Sequence, residues 1–96
     1  MADINDFRGT KVGSHIIDCV EMLDFETCIL SFEAEQEGTD FVDSQAEYWI
    51  DENSWHFNDV WFDKDGSYTE TKKTERLTEE EQKQCKEIIK EYLKQF

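Results

Sequence analysis

Two histidines, three cysteines and 24 carboxylates are the groups through which this 96-residue chain could do chemistry. A nucleophilic mechanism needs a base beside the nucleophile, and neither His15 nor His56 sits in a motif of that kind. Cys19, Cys28 and a histidine could in principle hold zinc, but their spacing matches no standard pattern, and buried small hydrophobes are the plainer reading. Asp63-Lys64-Asp65-Gly66 followed by Glu70 has a faint calcium-loop character. An EF-hand loop needs Gly at its sixth position and Glu at its twelfth, so this stretch reads as a hairpin turn. There is no Gly-rich phosphate cradle, and no carboxylate pair lies on a recognisable catalytic loop. No catalytic residue, metal ligand or cofactor is assigned, and the chain reads as a non-enzyme.

The carboxylates are informative as a group. Net charge is −14, yet residues 64–96 carry eight acids and eight Lys or Arg, and residues 1–11 also balance. Residues 12–63 contain fourteen Asp or Glu and no Lys or Arg. A protein needing only solubility would intersperse the signs, because like charges repel and oppose folding. The run Thr27–Glu37 alternates, with Cys28, Leu30, Phe32 and Ala34 on one face and Glu33, Glu35 and Glu37 on the other. Such a row spaces carboxylates about 6.6 Å apart, against one charge per roughly 3.4 Å on each strand of duplex DNA. An acidic sheet of this kind would suit a Lys/Arg-lined surface and give fast, salt-sensitive association. The plain alternative is a solvated, edge-protecting surface. The candidate contacts are Asp18, Glu21, Glu33, Glu35, Glu37, Asp40, Asp43, Glu47 and Asp59.

Trp49, Trp55 and Trp61 lie within thirteen residues of one another. Trp and Tyr are favoured interface anchors, so these three join the candidate site, at least one of them interfacial and the rest core. Aromatics among basic residues would indicate stacking on single strands. Here the neighbours are acidic, and phosphate repulsion argues against direct nucleic-acid binding.

The elements that would position these groups follow from periodicity. Thr78 and Glu81 form a capping-box pattern, and Cys85, Ile88, Ile89, Tyr92, Leu93 and Phe96 make one apolar stripe, giving a helix over 78–95. Strands are expected over 15–23, 27–37, 41–50 (irregular at 43–45), 55–62 and 67–73. On the fourth of these, Trp55, Phe57, Asp59 and Trp61 share a face, and His56, Asn58, Val60 and Phe62 the other. Short connections make neighbours pair, so the expected fold is α+β: an antiparallel four- to five-stranded β-meander packed against one C-terminal α-helix. Leu, Ile, Val and Phe make up 22 of the 96 residues, just above the roughly 20% floor for folding, so residues 1–96 read as a single domain. Residues 1–11 read as a loosely ordered N-terminal segment. No membrane span or signal peptide is seen, and three cysteines that cannot all pair with one another fit reduced thiols, giving a cytoplasmic expectation.

The functional expectation is an acidic interaction protein that occludes the positively charged, nucleic-acid-binding surface of a partner protein. Nucleic-acid mimics and inhibitors of phages and mobile elements share that character. Alternatives are an immunity protein or chaperone capping a toxin or effector, and a small-ligand carrier. Nothing in the sequence demands a homodimer, although one would double the acidic surface.

Overall fold

The computed structural model describes residues 7–95. It contains β1 (Lys11–Val12), β2 (His15–Met22), β3 (Thr27–Phe32), β4 (Glu35–Glu37), β5 (Asp40–Trp49), β6 (Ser54–Phe62), β7 (Tyr68–Glu70) and α1 (Glu79–Leu93). Every pairing is antiparallel, in the order β1-β2-β3-β5-β6-β7, with β4 continuing alongside β5. The α+β meander with one C-terminal helix is therefore the fold, with two further short strands. Among the described residues no helix is long and apolar enough to cross a membrane.

The helix begins as its sequence requires. Thr78 Oγ1 accepts from Glu81 N at 3.1 Å, and Glu81 Oε1 accepts from Thr78 N at 2.8 Å, which satisfies donors the first turn leaves unpaired. Its stripe buries Cys85, Ile89 and Tyr92 against Cys28, Leu30 and Ala46, while Val12, Ile17, Val20, Phe32 and Leu77 complete the core. Sealing a side chain such as Ile89 from water is worth about 1.5–3 kcal/mol. Burial pushes the Cys28 and Cys85 thiols up to about 12. Cys19 pairs across from Ser31 and Cys28 from Met22, so the two cysteines lie on opposite sheet faces and do not meet.

Register corrects one expectation. Ser31 lies opposite Gln45 and Ile29 opposite Glu47, but Glu35 lies opposite Val42 and Glu37 opposite Asp40. The β3–β4 side holds one extra residue at Glu33-Ala34, a bulge, whereas β5 runs without interruption along β6. The irregularity expected in the middle of β5 thus belongs to its partner. One extra residue sends everything after it to the other face. Glu35 and Glu37 turn to the helix side, Glu33 is exposed outside any strand, and the expected carboxylate row is broken.

That flip builds a polar latch at the helix N-terminus. Arg76 ion-pairs with Glu35, and its Nη1 donates to Glu37 Oε1 at 2.7 Å. Buried His15 stands 3.5 Å from Glu35 Oε1 and 3.8 Å from Glu81 Oε2, with Nε2 3.2 Å from the Arg76 carbonyl. Gly13, at φ +62°, closes the β1–β2 turn beneath them, where a Cβ would overlap Glu81 Oε2. Of the segment expected to be loose, residues 1–6 lie outside the described residues, and Phe7 to Lys11 is held. Gly9 N donates to the Ile17 carbonyl, Ile17 N donates to the Thr10 carbonyl, and Lys11 pairs with Ile16.

Candidate interaction surface

The helix covers one face of the sheet and leaves the other open. Register identifies what the open face carries. Glu21, Ile29, Glu47 and His56 form one cross-strand row, and Cys19, Ser31, Gln45 and Asn58 the next. Asp43, Val60 and Glu70 follow, flanked by Thr27, Trp49 and Ser54 at one end and Phe41, Phe62 and Tyr68 at the other. Asp18, left out of register by a bulge in β2, lies near enough for its charge to act on Asp43. Five carboxylates therefore share a surface with several aromatic rings. Strands about 4.8 Å apart put Glu21 and Glu47 roughly 10 Å apart, and four residues along β5 put Asp43 and Glu47 about 13 Å apart. The lattice is coarser than a phosphate backbone. It does not reproduce the register of individual phosphates.

Toward the Trp49 end, Trp49 and His56 pack as tilted rings with centroids 4.1 Å apart and planes at 35°, and Ser54 Oγ lies 3.1 Å from His56 Nε2. Asn58 Nδ2 donates to Glu47 Oε2 at 2.9 Å, fixing that carboxylate. Glu47, Trp49, His56 and Asn58, with Glu70, Thr71 and Lys72, line a hollow of about 380 Å³. An exposed indole one row from a carboxylate is a setting for a lysine or arginine side chain, which gains both cation–π and ionic attraction.

Asp43 is held at a cost. Its Oδ1 is sealed from solvent with no hydrogen-bond partner among the described residues, while Oδ2 accepts from Gln45 Nε2 at 3.3 Å. Burial is the main cause that pushes this carboxyl up to about 6, with the Asp18 charge adding to it and hydrogen bonds from Gln45 and Phe32 opposing it. The folded state therefore resists ionisation. Below the ordinary value of 3.8 the group is neutral folded or unfolded and costs nothing. As pH rises toward 6 the unfolded chain ionises first, so stability falls through that window and stays lower above it. Asp43→Asn is expected to flatten this slope and to stabilise the protein at pH 7.5 by about 1–2 kcal/mol, or roughly 5–15 °C in Tm. Thermal unfolding of both proteins from pH 4 to 8 checks it.

The sequence-derived contacts divide. Asp18, Glu21, Asp43, Glu47 and Trp49 come together on the open face. Glu33 lies in the bulge itself, and Asp40, at the start of β5 opposite Glu37, falls on the helix side. Glu35 and Glu37 share the single positive charge of Arg76 on the helix side. Trp55 and Trp61 are half-buried on that side too, Trp55 packed on the core, stacked with Tyr48 and lying 5.7 Å from Lys86 Nζ. Asp59 is only 2% exposed and accepts from Ser44, Thr74 and the Glu75 amide, so it is structural and not a contact. Glu70, His56, Phe41 and Tyr68 were missed, although the alternation of β5 and β6 already put Phe41 and His56 on the open side. Glu70 needed the β6–β7 pairing. No protein-family model matches the chain, and no curated protein or solved structure matches it.

Proposed function

We propose that this protein is a non-enzymatic interaction protein whose open sheet face covers a basic, nucleic-acid-binding surface on another protein, in the manner of a nucleic-acid mimic. The observation that carries the reading is the convergence of Asp18, Glu21, Asp43, Glu47 and Glu70 on a face the helix leaves bare, with Trp49 and Phe41 exposed among them. Strands β2 to β6 contribute no Lys or Arg to it. Arg8 stands 3.8 Å from Asp18 at one margin and Lys72 lines the other, so the centre stays anionic.

The test is affinity purification from the native host, with mass spectrometry and a competing arm of duplex DNA. The expected partner is a basic nucleic-acid-binding protein that DNA displaces and that washes off at high salt. The exposed rings give a second reading some weight, in which the same face caps a toxin or effector through apolar contact. A partner retained at about 1 M salt and indifferent to DNA would favour that reading and sink the first.

A further inference from the structure

The end of the sheet where the β2–β3 and β5–β6 turns meet differs from the rest of the molecule. Ile50 N donates to the Glu26 carbonyl at 2.7 Å, which ties the two turns together. Phe25 projects from the first turn fully exposed (100%) with Leu23 beside it at 60%. Asp24 and Glu26 flank Phe25 in the chain, Asp51 and Glu52 lie close enough for their charges to act on Glu26, and crowding by Asp51 above all raises the Glu26 carboxyl from its ordinary value. On the helix side of the same end lies a groove of about 500 Å³, lined by Tyr48, Asn53, Trp55, Lys90, Leu93 and Lys94. An apolar peg on an acidic pair of turns thus adjoins an aromatic groove edged by ammonium groups.

We infer that a second copy of this chain is the occupant: Phe25 of each protomer enters the Tyr48–Trp55–Leu93 groove of the other, and the turn carboxylates meet Lys90 and Lys94. Two complementary patches side by side at one end form a self-complementary surface, and a two-fold axis closes it without leaving either patch free for a third copy. Charge complementarity selects this occupant. Elsewhere the first four long strands offer carboxylates without cations, but here four acids adjoin Lys86, Lys90 and Lys94, so this end is close to balanced and has a groove for its own peg. Lys94 already lies 3.3 Å from Glu91 on its own helix, which makes Lys90 the freer of the two groove-lining lysines. The open face is left outward on both protomers, so the inference stands whether or not that face binds a basic partner.

Sedimentation equilibrium of the full chain is the test. The expected mass is about twice 11.4 kDa. Phe25→Asp, at a residue with no folded contact to lose, and Lys90→Glu/Lys94→Glu should each weaken dimerisation at least tenfold; Phe25→Asp should leave thermal unfolding of the monomer unchanged, while the lysine variant, which loses the Lys94–Glu91 pair and places acids at the helix C-terminus, should unfold slightly earlier. Adding Asp51→Lys/Glu52→Lys to the lysine variant should restore much of the loss. A monomer at several hundred micromolar, or a dimer indifferent to Phe25→Asp, overturns the inference.

Discussion

Asp59→Ala is expected to destabilise the protein by about 3 kcal/mol and to lower Tm by roughly 12–24 °C. Asp59 Oδ1 accepts from Ser44 Oγ at 2.9 Å and Thr74 Oγ1 at 2.6 Å, and Oδ2 accepts from the Glu75 amide at 2.8 Å. Its backbone also exchanges hydrogen bonds with Thr71. The carboxylate therefore fastens the 71–77 segment, which crosses from β7 to the helix, onto the centre of the sheet. Truncation leaves buried donors without acceptors, each costing about 1–3 kcal/mol. A domain of this length has only about 5–15 kcal/mol of stability to lose from. Asp59→Asn should be milder, about 1–2 kcal/mol, because a hydroxyl can rotate to accept from the amide. Chemical unfolding of both variants checks the order. Equal, small losses would mean that the carboxylate does not hold the segment.

Asp59 also shows where sequence reasoning stops. Alternation put it on the same side of β6 as Trp55, Phe57 and Trp61, and the register agrees. What it could not reveal was that Ser44, fifteen residues earlier, and Thr74, fifteen later, converge on that carboxylate. An acid on a helix-covered face is a contact or a clamp according to partners that only the fold assembles. The helix, its capping box and the strand alternation were legible because each is written within a few turns or residues of local sequence. The bulge at Glu33-Ala34 was not, since alternation by itself reads straight through it. Only the offset between Ser31–Gln45 and Glu35–Val42 reveals the added residue, and that offset depends on β5. The same holds for Arg76, some forty positions from the two carboxylates it pairs with. Of the acidic candidates, Glu35 and Glu37, carried on β4 past the bulge, lost their expected face, while Glu21, Asp43 and Glu47 share the open one.

Charge reversal on the open face is the second large effect. Glu21→Lys/Glu47→Lys/Glu70→Lys should weaken binding of a basic ligand at least tenfold at low ionic strength, with the difference shrinking as salt rises. Glu21 and Glu70 are exposed, and Glu47 loses one hydrogen bond from Asn58, worth about 1 kcal/mol, so the fold should survive. A matched control reverses Glu80, Glu87 and Glu91, all exposed on the helix. It changes net charge by the same amount without touching the sheet. If location matters, the two triple variants will differ. If only total charge matters, they will bind alike.

The most direct measurement is an amide NMR titration of the wild-type protein with a hexa-arginine peptide at low salt, repeated on both triple variants. The account predicts shifts concentrated at Glu21, Gln45, Glu47, His56, Asn58 and Glu70, lost in the sheet variant and kept in the helix control. Shifts spread evenly over all exposed acids, or persisting unchanged after Glu21, Glu47 and Glu70 become lysines, would contradict it.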